Sequence, residues 1–460
     1  MLLRLRFYFF IFTLLTGSMQ MADADKKTLI NAQTHTLENG LKIIVVPNGL
    51  APVVTIGLIY NIGTADDPLD QVGLSHFLEH MMFKGTKEIP GGEFNKLIIR
   101  NGGHNNAYTE YDHTFYYTTI AAKHLELILK CEADRMRNLT FTQEEVTSEI
   151  NVVLEERRMR LDNNPFGIAS ERFLRAMHPH HPYGVHPIGL PHHIKKYTYK
   201  SARDHYDSYY RPNNATLLIG GKVTLAEALP LIKKYFGEIK SAPIPARNRP
   251  QNPPREGLTE TITQHNKRNS IIQLQLSYDA PHFHSELGKK HYYALLMLEY
   301  LLGGNATTEF YHHLVERKKL AVHVSCNYDG DSIDPKDFSI SAAIEPQGNV
   351  EALKTEINKL LVQIQKDGVS KDDLARAKID MIGKLAFLKD GTKKLLTTIA
   401  GFVAKGFALD DLNNWSQRIE AVTNDDIIAA AQLVFKKAPP VTLEIYPESK
   451  EMATKTEAAA

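Results

Sequence analysis

With 460 residues, the chain is too long for a single hydrophobic core and suits about two domains. Hydrophobic residues at 43% and charged residues at 23% are the proportions of a globular protein and exclude fibrous and disordered classes. A formal net charge of +1, with no basic run interleaved with aromatics, excludes a nucleic-acid-binding footprint.

The chain opens with Arg4 and Arg6 ahead of an apolar run, Phe7 to Gly17, of the length of a signal-peptide core and too short to span a bilayer. Ala22-Asp23-Ala24 is a small-x-small cleavage site. Residues 1–24 therefore read as a signal peptide removed after Ala24, giving an exported, periplasmic protein with no stable membrane insertion. An uncleaved anchor is the competing reading, and a eukaryotic secretory leader has the same pattern.

"HTLENGLKIIVVPN" predicts a hairpin around Asn39-Gly40, and "PVVTIGLIYNIG" a buried strand. "QVGLSHFLEHMMFKGT" predicts a helix closed by Gly85, and Lys123 to Asn138 and Thr142 to Asp162 have helical periodicity. "RPNNATLLIGG" reads as a strand, followed by a helix ending near Gly237. Ser241 to Gly257, with five prolines, reads as a semi-rigid linker. The second half restarts with "NSIIQLQLSYDAP" as a strand, "HYYALLMLEYLLGG" as a helix, strands near Ala321–Tyr328 and Phe338–Ile344, helices from Val350 and a late strand in "PPVTLEIYP". Each half repeats strands, helix, strands, helices and a last strand, so the expected fold class is α+β with two homologous domains, 25–240 and 258–450, each a mixed sheet with helices packed on it. Residues 451–460 read as a disordered tail. The two cysteines, Cys131 and Cys326, read as buried thiols rather than a disulfide framework.

The chemistry concentrates at His76-Phe77-Leu78-Glu79-His80. At about 100° per residue, Glu79 sits near −60° and His80 near +40° from His76, so all three share one helix face. Two imidazoles so placed can hold one Zn²⁺ with room for a third ligand and a water, and a non-ligating Glu79 can take the water's proton. The order His-x-x-Glu-His is the inverted form of the commoner zinc-protease motif. It arises by chance roughly once in twenty such chains, so the motif alone leaves a core helix with hydrogen-bonded histidines as the alternative. The third ligand is sought in the acidic helix Thr142 to Asp162, where Glu149 and Glu156 are seven apart on one face and Glu145 lies a turn earlier. Spacing does not choose between Glu149 and Glu156, and a solvated face paired with Arg157 and Arg158 is the bland account.

"GLSHFLEHMMFKGT", "GGHNNAYTEYDHTFYY", "EINVVLEERRMRLDNNP" and "HPYGVHPIG" resemble, in order, the pitrilysin/insulinase zinc peptidases, above all the branch of mitochondrial processing peptidases and their bacterial relatives. The resemblance implies His76, His80 and Glu156 as zinc ligands, Glu79 as general base and Glu149 as a supporting carboxylate. It also implies an edge strand at "NNAYT" whose Asn106 and Ala107 contact an extended peptide substrate, consistent with β-augmentation. It further implies that the two domains form half of a clamshell. One departure stands out: where the family carries Leu-Arg-x-x-x-x-Leu-(Ala/Gly)-Tyr, this chain reads "LVERKKLAV", with Val315 at the Arg position and Val322 at the Tyr position. Valine supplies neither guanidinium nor phenol; Arg317 is the alternative source of the cation. The expectation is a zinc endopeptidase acting as the metal-bearing subunit, with a homologous partner in a heterodimer, or a second copy in a homodimer, completing the site. The alternative is a non-catalytic structural or peptide-binding subunit. The histidine-rich "MHPHHPYGVHPIGLPHH" reads as a loop, Glu309 and His313 as a helix-surface pair, and Trp415 as core.

Overall fold

The computed structural model describes residues 30–253, 255 and 259–448; the leader expected at 1–24 and the tail expected at 451–460 lie outside them. The expected hairpin forms as β1 (Gln33–Thr36) and β2 (Lys42–Pro47), with Gly40 at φ +86° in its turn. The mostly apolar β3 (Val53–Tyr60) is buried on both sides, with the Thr55 hydroxyl satisfied by Thr119 at 2.9 Å. Then follow α1 (Leu74–Met81), α2 (Glu93–Arg100), β4 (His104–Thr109), β5 (Thr114–Ala121), α3 (Leu125–Asn138), α4 (Gln143–Arg157), α5 (Pro165–Met177), α6 (Pro191–Ile194), α7 (Tyr199–Tyr209), β6 (Ala215–Gly221) and α8 (Leu225–Phe236). The six strands run β1-β2-β6-β3-β5-β4, parallel only at β2/β6, which leaves β4 at an edge.

The second half holds β7 (Glu260–Asn266), β8 (Ile272–Asp279), α9 (Glu286–Gly303), α10 (Glu309–Tyr311), β9 (His323–Tyr328), β10 (Asp337–Ile344), α11 (Val350–Asp367), α12 (Lys371–Ala386), α13 (Thr392–Ala404), α14 (Leu409–Asn413), α15 (Trp415–Glu420), α16 (Asn424–Phe435) and β11 (Val441–Pro447). Its sheet, β7-β11-β8-β10-β9, repeats the plan of the first: one parallel pair, β7/β11, then antiparallel neighbours out to an edge. Each half is thus a mixed sheet with its own helices on one face, as the repeated pattern predicts.

What the pattern does not predict is the covering of the opposite faces. Leu395, Leu396 and Ile399 of α13, from the second half, pack on Ile44, Ile59 and Leu218 of the first sheet. In return Ala169, Phe173 and Met177 of α5 pack on Val441, Leu443 and Ile445 of the second. Each half therefore lends one helix to the other, and burying an apolar sheet face is the dominant reason to hold them together.

Three smaller expectations change. The helix expected to run to Gly85 ends at Met81, and the one expected over Thr142 to Asp162 widens into a π-helical turn at Arg158–Asp162. Glu309 does not pair with His313: the His313 ring meets Glu356 at 2.6 Å and Glu309 binds Arg317, which itself lies 3.4 Å from His313 Nδ1. Cys131 is buried, but Cys326 on edge strand β9 is only half-buried; both are free thiols.

Glu299, half-buried in α9, yields a pH prediction. Burial pushes its carboxyl up from 4.5 to about 7, reinforced by Asp329 and Asp331 and opposed by the Tyr328 backbone N–H. A carboxyl raised in the folded state favours folding fully below its unfolded pKa, and that advantage is lost as pH rises through the folded value. Glu299→Gln is therefore expected to raise stability by up to about 3 kcal/mol at pH 8 and to change it little at pH 4. Thermal melts at the two pH values check this; an equal effect at both would refute it.

Candidate metal centre and peptide edge

Leu74, Phe77, Leu78 and Met81 bury one stripe of α1 in the first core, which leaves His76, Glu79 and His80 on the face turned to α4. The first turn of α1 is fixed from outside the helix. The Asp67 carboxylate accepts from the Gly73 N–H (2.8 Å), the Ser75 N–H (3.1 Å) and the Ser75 hydroxyl (2.6 Å), which satisfies donors a helix start leaves open. Gly73 itself sits at φ +103°, and a Cβ there would lie 2.6 Å from the Tyr197 Oη and 2.7 Å from the Ile188 carbonyl. Gly73→Ala is accordingly expected to cost about 2–4 kcal/mol and to displace the histidine pair. A variant that melts at the parental temperature would show the backbone relaxes freely.

The acidic helix α4 begins with a reciprocal cap, Thr142 with Glu145, so Glu145 is spent at the N-terminus and not at the centre. Farther along, Glu149 and Glu156 reach His80 from two sides. Glu149 Oε1 lies 2.9 Å from His80 Nδ1, while Glu156 Oε2 lies 3.3 Å from His80 Nε2 and 3.5 Å from His76 Nε2. The ambiguity that spacing leaves between the two glutamates thus resolves geometrically: Glu156 faces both Nε2 atoms, and Glu149 stands behind one ring. Lys84 lies 2.5 Å from Glu149, and Arg160 lies 2.8 Å from the other Glu156 oxygen.

The donor set fits a zinc ion. With metal–ligand bonds near 2.0–2.2 Å, tetrahedral ligands stand about 3.3 Å apart, and the two separations from Glu156 are 3.3 and 3.5 Å. Glu156 Oε2 is buried and accepts no well-formed hydrogen bond. With Nδ1 of His80 donating to Glu149, Nε2 is the ring nitrogen that faces Glu156, and a metal bound there would displace its proton. His76, His80 and Glu156 are the one such group of three among the described residues, their donor atoms within 4.8 Å of one another.

Electrostatics follows the same arrangement. Burial, then the neighbouring His80, pushes His76 down to about 3, so that ring is neutral and able to coordinate. At His80 burial acts in the same direction, but the Glu149 and Glu156 carboxylates outweigh it and hold the ring up at about 9. The His80 contact, against burial and with help from Lys84, lowers Glu149 to about 2. Glu79 is raised by burial, opposed by a hydrogen bond from Thr109.

These groups line a cavity of about 530 Å³ whose far wall is β4, including Asn106, Ala107, Tyr108 and Thr109. Among the described residues the backbone of β4 has no strand partner on its outer side. Asn106 Oδ1 accepts from the Ala107 N–H at 2.9 Å, so a side chain covers this amide at the two expected substrate contacts. Lys84, Thr109, Arg160 and Asp67 escape the sequence reading, although two carry a signal: Lys84 is one helical turn beyond His80, and Thr109 shares a strand face with Ala107. Val315 packs against the second core, Val322 is 41% exposed, and Arg317 is tied to Glu309.

Comparison with known proteins bears on these groups. Residues 42–186 match the Insulinase family (peptidase family M16) and residues 196–381 match the peptidase M16 inactive domain. The chain is 30% identical to the zinc protease PqqE of Helicobacter pylori, covering 90% of this chain and 93% of that one. It superposes on the crystal structure of a protease from the same organism with a TM-score of 0.83 at 28% identity, over 91% of this chain and 100% of the other. Against the periplasmic protease PqqL of Escherichia coli the TM-score is 0.75 at 21% identity, over 92% of this chain but only 48% of that one. Matched along both halves and related over nearly its whole length to a zinc protease, the chain belongs to the insulinase family of peptidases, M16.

Proposed function

We propose that the chain is a zinc-dependent endopeptidase for extended peptides or unfolded segments, acting as the metal-bearing half of a two-subunit enzyme. The observation that carries this reading is the convergence of His76, His80 and Glu156, with one Glu156 oxygen 3.5 and 3.3 Å from the two Nε2 atoms and Glu79 beside them as a buried acid that is no part of the donor set. Zinc held there would polarise the scissile carbonyl and acidify its water. The outer edge of β4 pairs with the peptide backbone once Asn106 swings off the Ala107 amide, which aligns the scissile bond across the cavity. Glu79 accepts the proton of the attacking water and returns it to the leaving amine. Glu149 fixes the His80 tautomer, and Lys84 keeps Glu149 ionised.

Two considerations support a second subunit. The family resemblance puts Val315 and Val322 where a cation and a phenol would stabilise the charged intermediate, and the chain matches 48% of a longer fold relative. A homologous partner, or a second copy, supplies the missing groups. No helix among the described residues is long and apolar enough to cross a membrane, and the leader expected at 1–24 directs the product to the periplasm.

The test is metal stoichiometry. The purified chain is expected to bind one zinc, and Glu156→Gln to lower its affinity at least about 10-fold. Equal affinity in the variant would sink the assignment. Full turnover by the chain alone, without its genomic neighbour's product, would remove the case for a heterodimer.

A further inference from the structure

We propose that Thr109 is a positioning residue: its hydroxyl fixes the carboxylate of Glu79 in the orientation that faces the reacting water. The role rests on the peptidase reading; the hydrogen bond beneath it does not.

Along β4, Asn105, Ala107 and Thr109 alternate onto the side of α1 and α2. Asn105 donates to Asn95 in α2 at 2.8 Å, Ala107 packs against the first core, and Thr109 Oγ1 donates to Glu79 Oε2 at 2.6 Å. That is the one side-chain hydrogen bond Glu79 makes among the described residues. Glu79 is only 9% exposed, so its orientation depends on this donor. The donor is itself rigid. Thr109 is the last residue of β4, registered opposite Thr114, whose hydroxyl lies 3.4 Å away and donates to the Ile62 carbonyl at 3.0 Å. A hydroxyl has a single proton to give. Spent on Oε2, it leaves Oε1 as the oxygen free to accept from water, and a carboxylate free to rotate would lose that alignment.

Two measurements decide the matter. In the metal-stripped chain, Thr109→Val should lower the melting temperature by about 2–4 °C, because it strands a buried carboxylate, and by much less in a Glu79→Ala background. In the zinc-loaded protein with its partner, Thr109→Val should lower kcat about 10–100-fold at unchanged KM and zinc content, and Thr109→Ser should restore most of it. Equal melting shifts in the two backgrounds overturn the proposal. So does a valine variant with parental kcat, or a serine variant as poor as valine. If Glu79→Gln keeps full turnover, the peptidase reading is what fails, and with it the catalytic consequence proposed for Thr109.

Discussion

Replacing Glu79 by glutamine is expected to cut peptide hydrolysis by about 10²–10⁴-fold while zinc content stays at the parental level. The substitution is close to isosteric, and the amide oxygen can still accept the Thr109 hydroxyl, so α1 and its histidines keep their places. What disappears is a group able to hold the proton taken from water. Burial raises the Glu79 carboxyl above the ordinary carboxylate range, the direction a base working near neutral pH requires. Glu79 lies outside the group of three donors, so metal retention is the decisive control. Measuring kcat/KM on a quenched peptide alongside metal analysis separates the outcomes. Lost zinc would make Glu79 a ligand; retained turnover would place the base elsewhere or make the chain a peptide-binding subunit.

The centre was legible in the sequence to the extent that its parts are local. His76, Glu79 and His80 share a helix face by arithmetic, and Glu149 and Glu156 share another. Which glutamate meets both rings depends on how α4 crosses α1, and no spacing within α4 contains that angle. The same limit applies to the fold. Alternation and apolar runs announce the strands, but not that α5 and α13 each cover the other half's sheet, since a buried helix carries no mark of its partner. Thr109 is an unremarkable strand residue until register sets it opposite Glu79, and Asp67 acts on a helix that begins seven residues later. Beside the π-helical turn after Glu156, Arg157 is buried against Glu171 and the Gly189 carbonyl, partners distant in sequence that no spacing announces.

The second large effect concerns the joint between the halves. The stretch expected as a semi-rigid proline-rich linker carries a buried cation, Arg249, that ties it to both halves. Arg249, 3% exposed, binds Asp66 at 2.7 and 2.9 Å, Asp112 at 2.7 Å and Asp334 at 2.7 Å. Asp66 and Asp112 come from the first half and Asp334 from the second, and Arg247 adds a bond to Asp66 at 3.2 Å. Tyr183 donates to Asp112, and His181 lies 3.3 Å from Asp334. Removing the guanidinium strands three carboxylates in a poorly hydrated space, so Arg249→Met is expected to cost about 3–5 kcal/mol at pH 7. The pH dependence discriminates this from lost packing. Against the opposing effect of burial, Arg249 lowers Asp112 and, with His181, Asp334. Carboxyls depressed in the folded state stabilise it above their unfolded pKa and lose that contribution as pH falls through the folded value. In the variant these carboxyls are no longer depressed, so its deficit should be largest at neutral pH and shrink below about pH 4, where protonation relieves the repulsion. Melts at pH 7 and about pH 2 read this directly. A deficit equal at both would assign the effect to the arginine's bulk, and a parental melting temperature at pH 7 would mean that the helix exchange alone holds the halves together.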